Sequence, residues 1–436
     1  MDYKILAPSR VAGSVCLPLS KSISNRALII SALSGREIDS CDVAKCDDTD
    51  AMLNALSDKG AKEVNIGAAG TAMRFLTAYY SVQQGREVVL DGSERMRHRP
   101  IKVLVDALRE CGADIEYVGE EGFPPLRIKG ARLQANEIKI PGNISSQYIS
   151  AILMISPLIE GLTQVSLTGE VISRPYIDMT LSLMRKSGVE THWNGNDIVF
   201  EKNACYKPKA FAVEGDWSAA SYWFEIVSLL PESLITLHHL FTPQASVQGD
   251  SAVAKIFEQF GVMLVTGGSG SDIMVDTNEH KVVKSLNIDL CETPDLAQTV
   301  VVTACALEIP FHITGLQTLK IKETDRIEAL RTQLLKMGYV LTVGEDLSLS
   351  WDGTKCKCDD VIAINTFDDH RMAMAFAPAA AKFPGIIIKD IEVVSKSYPR
   401  YWDELRNAGF TLDELRNAGF TLEEVRNAGF TLEEVR

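Results

Sequence analysis

The densest run of side chains able to do chemistry is KIKETDR, where Lys320, Lys322, Glu323, Asp325 and Arg326 fall within seven positions, 320–326. A carboxyl group set between cations can move a proton, and the cations can clamp an anion. The run also fits a solvated helix start, because Thr324, Asp325 and Glu328 have the types and spacing of caps.

Other loops carry comparable groups. PLSKSISNRALI, residues 18–29, offers Lys21, Ser22 and Arg26, which suit phosphate or carboxylate. IGAAGTAMRF sets Gly70 and Thr71 before Arg74, so a ligand can approach backbone N–H groups closely. GNISSQY supplies Ser145, Ser146 and Gln147, and FDDHRMAMAF supplies His370 and Arg371. Each has a plain alternative: a capped helix with snorkelling bases, a common glycine turn, a serine N-cap, a structural histidine. Their arrangement in the chain decides between the readings.

That arrangement is a repeat: an alternating apolar strand, a polar loop, an amphipathic helix, then glycine and another strand. Clear copies begin at Arg86, Leu162 and Ile309, and weaker ones near Arg36, Leu234 and Ile386. Their helices end at Gly60, Gly112, Gly188, Gly261, Gly338 and Gly409, where positive φ would satisfy the last carbonyls. Between them lie six helical segments that are apolar around most of their circumference, such as SSQYISAILMISPLIEG and PDLAQTVVVTACAL. Such helices belong inside a domain. Their polar starts bring free N–H groups and positive dipole ends into loops, which favours anions.

Arg95, Arg97 and Arg99, then Ser173 and Arg174, then Lys322, Glu323 and Arg326, then Lys396 and Arg400, occupy equivalent loops of this repeat. Equivalent loops should share one end of a domain, which favours a site over scattered solubilising charge.

At 436 residues the chain exceeds what one core usually supports. Six units imply two similar α/β domains of three, with sheets outside and apolar helices within. The expected first lobe is 20–214, the second is 1–19 plus 215–410, and 411–436 is a repetitive appendage. The crossing falls near VEGDWSAAS, residues 213–221, and the opening segment with SVCLP is expected to return to the second lobe.

A net charge of −14 argues against nucleic acid, so an anionic ligand must be caught locally. Nine cysteines without zinc-like spacing read as reduced thiols. The seven histidines form no ligand pattern, and His238 and His239 should point opposite ways in a strand. Neither G-x-G-x-x-G nor a P-loop occurs. No apolar run approaches the roughly 18 residues of a membrane span. A soluble, cytoplasmic monomer without metal, cofactor, nucleic acid or membrane partner is expected.

SKSISNRA, AGTAMR, RPI, SSQY, SRPY, PDLAQT, KETDR, DHRMAMAFAP and SKSYPRYW stand in this order. Together they resemble the EPSP synthase family, the 3-phosphoshikimate 1-carboxyvinyltransferases, over residues 1 to about 410. The resemblance implies two inside-out α/β domains closing on a hinge, and enolpyruvyl transfer from phosphoenolpyruvate to the 5-hydroxyl of shikimate 3-phosphate, without cofactor. Carried over, Lys21, Ser22, Arg26, Ser145, Ser146, Gln147, Ser173, Tyr176, Asp295, Thr318 and Lys322 would meet shikimate 3-phosphate. Lys21, Gly70, Arg99, Gln147, Arg326, Arg371 and Lys396 would meet phosphoenolpyruvate. Asp295 would be general base and Glu323 general acid, with Lys322 and His370 beside them. A sister transferase acting on UDP-N-acetylglucosamine and a non-catalytic anion binder are the alternatives.

Three positions depart from the family pattern: Ala68 replaces the usual Asn, Phe75 the usual Pro and Thr318 a common Asn, and the segment before Ile66 is short. The tail repeats DELRNAGFTL from 403 and 413, then EEVRNAGFTL from 423. Thr411 and Glu414 have capping-box spacing, which predicts a short helix in each later copy.

Overall fold

The structure, a computed structural model, describes residues 1–36, 42–201, 204–266, 272–277 and 282–415. Its α-helices alternate between two kinds. Six are largely buried: α1 (Lys21–Leu33), α3 (Gly70–Ser81), α5 (Ser146–Ile155), α7 (Trp217–Leu229), α9 (Ala297–Ala306) and α11 (His370–Phe376). The others are α2 (Asp47–Ser57), α4 (Lys102–Glu110), α6 (Arg174–Lys186), α8 (Val253–Glu258), α10 (Arg326–Lys336) and α12 (Tyr401–Asn407). These present an apolar stripe inward and charge outward; in α4, Leu104, Val105 and Leu108 are buried while Lys102 and Glu110 are exposed.

Among the described residues, five four-stranded sheets share one topology, a parallel pair continued by two antiparallel strands. In the sheet from Arg86 onward the order is Glu63–Asn65, Glu87–Asp91, Leu126–Lys129, Asp114–Tyr117. The next is Glu137–Pro141, Gln164–Thr168, Asp197–Phe200, Thr191–Asn194. A third, Leu286–Asp289, Phe311–Thr314, Leu349–Trp351, Thr342–Val343, repeats it. The remaining two borrow strands from the chain's beginning. Ala12–Cys16 runs parallel to Leu234–His238, ahead of Asp272–Thr277 and Val262–Thr266. Asp2–Leu6 lies between Ile386–Ile388 and Thr411–Leu415, with Ala363–Ile364 at the far edge.

Three expectations need correction. The weak copy near Arg36 supplies α2 and, after Gly60, the strand Glu63–Asn65, which joins the next copy's sheet instead of forming its own; its expected opening strand lies outside the described residues. Gly112, Gly188, Gly261, Gly338 and Gly409 take positive φ, but Gly60 does not. Thr411 and Glu414 start no helix: Thr411–Leu415 is a strand paired with Asp2–Leu6 over five positions. Alternating Leu412 and the pairing partner outweigh a local capping signal, which is weak without a following apolar helix face. The later tail copies lie outside the described residues.

The core falls into two clusters that share no residue, one spanning Ile23 to Phe200, the other built from Tyr3–Leu17 and Trp217–Leu412. The chain crosses between them twice, and the crossings lie side by side: Ser20 N donates to Glu214 O at 2.8 Å, and Asp216 N to Pro18 O at 2.9 Å. No helix among the described residues is long and apolar enough to cross a membrane.

Candidate active site

Helix starts build the site. The Ser20 hydroxyl caps α1 by accepting from Ile23 N at 3.4 Å, and the Ser145 hydroxyl caps α5 by accepting from Gln147 N at 3.4 Å. Asp369 caps α11 by accepting from Arg371 N at 3.0 Å. At α10 the cap is Asp325, which accepts from Glu328 N at 3.1 Å. KETDR is thus both a helix start and a cluster of inward-facing groups.

Arg326, only 1 % exposed, is the hub of the second-lobe half. Its Nε donates to Asp369 Oδ2 at 2.7 Å, its Nη1 to Asp295 Oδ1 at 3.1 Å and its Nη2 to Glu323 Oε2 at 2.9 Å. Lys322 Nζ lies 3.2 Å from Asp295 Oδ1, and Arg371 Nη2 is 3.3 Å from Asp295 Oδ2. Lys396 Nζ reaches across to Glu323 Oε1 at 3.0 Å and Ala68 O at 3.1 Å. Burial pushes the carboxyl pKa values up, but neighbouring cations win. Asp295 is held well below the usual carboxylate range by Lys322, Arg371 and Arg326, and Glu323 by Lys396, Arg326 and Arg99. Burial, reinforced by Lys21, drives the His370 pKa down, so the ring is neutral at pH 7.

The first-lobe half is bound differently. Arg26 donates to Thr180 Oγ1 at 2.7 Å, Ser22 O at 2.9 Å, and Ser150 Oγ and Tyr176 O, each at 3.2 Å; it stacks over Phe75 at 5.4 Å. Arg74 donates to Gly70 O at 3.2 Å and Pro100 O at 3.0 Å. Among the described residues neither has an ion-pair partner, and burial lowers both pKa values to about 10. Arg99 lies against Gly70 so closely that a Cβ there would overlap its guanidinium. Among the described residues, Lys21 alone of this half holds a carboxylate, Asp48 Oδ2 at 3.1 Å.

These groups face two adjoining hollows of about 740 and 450 Å³. The larger is lined by Ser22, Arg26, Ser145, Ser146, Gln147, Ser173, Tyr176, Asp295, Thr318 and Lys322. The smaller is lined by Lys21, Gly70, Glu323, Arg326, His370 and Arg371, with Ser22, Thr71, Arg99, Gln147, Asp295 and Lys322 on the shared wall. Lys396 lines neither and reaches the smaller hollow's wall through its ion pair with Glu323. Ser173, with φ 55°, donates its N–H to Cys291 O at 3.1 Å, a contact between lobes. Thr318 Oγ1 and Arg99 Nε have no hydrogen-bond partner among the described residues.

Not every charged loop residue reaches the site. Arg97 pairs with Asp91 at 2.6 Å, Arg174 stacks over Trp193 at 4.1 Å, Arg400 pairs with Glu404 at 3.0 Å, and Arg95 donates to Phe367 O at 2.7 Å. Conversely, Thr71 and Arg74, named only as part of a close-approach loop, line the larger hollow, and Asp48, Ser218, Asp250 and Asp369 belong to the network although the sequence suggested no role for them. The one sequence signal of those four is position at or just before a helix start, α2 for Asp48, α7 for Ser218, α8 for Asp250 and α11 for Asp369, which capping explains equally well.

The family model for EPSP synthase (3-phosphoshikimate 1-carboxyvinyltransferase) matches residues 5–66 and 58–405. The 3-phosphoshikimate 1-carboxyvinyltransferase of Bacteroides fragilis is 51% identical over 410 residues, 94% of this chain and 98% of the relative. The enzyme of that name from Cellvibrio japonicus is 39% identical, covering 92% of this chain and 98% of its own. The chain belongs to the EPSP synthase family. The fold agrees: the solved EPSP synthase of Acinetobacter baumannii superposes with a TM-score of 0.72 at 23% identity, covering 95% of this chain and all, 100%, of that one.

Within the EPSP synthase framework the departures acquire places. Ala68 offers its carbonyl, not its side chain, to Lys396. Phe75 is fully buried under Arg26, where an aromatic face favours a guanidinium. Thr318 keeps a hydroxyl on the larger hollow.

Proposed function

We propose that the chain transfers the enolpyruvyl group of phosphoenolpyruvate to the 5-hydroxyl of shikimate 3-phosphate, releasing phosphate. The observation that carries this reading is the division of residues between the two hollows. Of the groups expected to meet shikimate 3-phosphate all but Lys21 line the larger, of those expected to meet phosphoenolpyruvate all but Lys396 line the smaller, and Ser22, Arg99, Gln147, Asp295 and Lys322 stand on the wall between them.

In the larger hollow, Ser22, Arg26, Ser145, Ser146 and Gln147 hold the phosphate, and Tyr176 packs beside the ring. In the smaller one, Lys21, Arg99, Arg326 and Arg371 clamp the phosphate and carboxylate of phosphoenolpyruvate, with Gly70 allowing close approach. Asp295, ionised by its cationic neighbours, accepts the hydroxyl proton as that oxygen bonds to C2 of phosphoenolpyruvate. Glu323 gives a proton to C3, and a tetrahedral adduct results. The adduct then loses a C3 proton to Glu323 while the C2–O bond to phosphate breaks, and the departing phosphate takes the proton held by Asp295. His370, neutral beside Glu323, adds no competing charge.

Lys396 and Arg326 hold Glu323 ionised. Anionic phosphoenolpyruvate shares those cations, so its binding raises the Glu323 pKa toward protonation. We also infer two lobes, 20–214 and 1–19 plus 215–415, the expected boundary at 410 moving because Thr411–Leu415 joins the second lobe's sheet, hinged at the paired crossings and acting as a cytoplasmic monomer. Phosphate release from phosphoenolpyruvate that requires shikimate 3-phosphate tests the activity. Release supported instead by UDP-N-acetylglucosamine, or none with either acceptor, would refute it.

A further inference from the structure

A buried carboxylate that the mechanism does not use joins the two halves of the site. Asp250 lies just before α8 in the second lobe and is 3 % exposed. Its Oδ1 accepts a hydrogen bond from Tyr176 OH on first-lobe α6 at 2.5 Å. Its Oδ2 accepts from Ser218 Oγ at the start of α7. The Ser218 hydroxyl oxygen in turn accepts from Arg371 Nη2 at 3.3 Å, and Arg371 holds Asp295 through both its carboxylate and, at 3.1 Å, its carbonyl. An unbroken path therefore runs from the ring proposed to pack against shikimate 3-phosphate to the clamp proposed for phosphoenolpyruvate.

The surrounding loop fixes Asp250 in place. A Cβ on Gly249 would run into Pro175, so the two lobes meet there with no side chain between them. Gln248 accepts from Ser20 Oγ at 3.0 Å and Trp217 N at 3.1 Å, and donates to Gly215 O at 2.8 Å, which ties the same loop to both crossings. Burial and nearby Asp295 raise the Asp250 pKa, whereas Arg371, Ser218 and Tyr176 favour the anion. A carboxylate buried at a lobe interface needs its partners on both sides, so its contacts are made fully only when the lobes are together.

We propose that Asp250 is a positioning residue that couples the lobe contact at Tyr176 to the placement of Arg371 and Asp295. This rests on the functional reading above, so the unaltered protein is assayed first; no acceptor-dependent phosphate release would sink that reading irrespective of Asp250. With activity in hand, Asp250→Asn is expected to lower kcat about 10²-fold, the scale of a small misplacement of reacting groups, with KM for shikimate 3-phosphate changed less than about threefold. Ser218→Ala should show the same split without touching the lobe contact, and Tyr176→Phe keeps the ring while removing the hydroxyl. The double variant Tyr176→Phe/Asp250→Asn should be no slower than Asp250→Asn alone. Losses that multiply in the double variant, or kcat within about twofold of the unaltered protein in Ser218→Ala, would overturn the proposal even if Asp250→Asn failed to fold.

Discussion

Arg26 and Arg326 are both nearly inaccessible guanidiniums beside one site, yet their surroundings differ in charge. Arg26 is satisfied by hydroxyls and carbonyls alone, and burial brings its pKa down to about 10. Arg326 sits among Asp295, Glu323 and Asp369, which carry its pKa upward against burial. Among the described residues, the first-lobe half therefore holds positive charge that no carboxylate of its own offsets, apart from the Lys21–Asp48 pair. The second-lobe half is internally neutralised and holds the groups able to move protons. A doubly charged phosphate is attracted by the former. In the latter, an arriving anion must compete with resident carboxylates for their cations, which is how binding there can alter their protonation.

The sharpest test of that contrast removes the proton donor from the neutralised half. Glu323→Gln should lower turnover about 10²- to 10⁴-fold, the range of general acid catalysis, while calorimetry finds shikimate 3-phosphate binding intact. Undiminished turnover would end the acid role. Next comes the hub: Asp369→Asn, which leaves Arg326 short of a buried partner, should cost about 3–5 kcal/mol in urea denaturation. A loss within experimental scatter would mean that Asp295 and Glu323 suffice for Arg326.

On the other side, Arg26→Gln should weaken binding of shikimate 3-phosphate about 10²-fold with a much smaller effect on turnover at saturation. The reverse pattern would erase the division between a binding half and a reacting half. The smallest effect concerns pH. The folded-state pKa of Glu323 lies well below its unfolded value of 4.5, so its ion pairs contribute stability above that value. That contribution is lost as pH falls through the folded value. The difference in melting temperature between the unaltered protein and Glu323→Gln should therefore be present at pH 7 and shrink below pH 4.5. A difference that stays constant on acidification would show that Glu323 is not held as an anion.

The sequence showed the repeat because strand alternation, helix periodicity and terminal glycines are local properties. It showed Lys21, Arg26 and Arg371 because they stand in the first turns of helices too apolar to be surface helices, and Glu323 because its loop matches the polar loops of the other copies. It misread Thr411 and Glu414, since the partner that makes them a strand lies at the opposite end of the chain. It gave no role to Asp250 or Asp369, since an aspartate before a helix reads as a cap, and Asp369 is also one.

By itself, then, the amino-acid order determined the repeated α/β unit, the buried helices and the cationic loops at their starts, and its motifs pointed to the family. Only the tertiary structure decided which loop charges meet. Arg97 and Arg99 are two residues apart, yet one pairs with Asp91 and the other reaches the site. It also decided which carboxylates neutralise which cations, and that a path from Tyr176 through Asp250 joins the lobes. Most of those outcomes depend on contacts between residues tens to hundreds of positions apart, and even the near pairs depend on burial, where Coulomb energy and desolvation are set by the tertiary surroundings and not by local spacing.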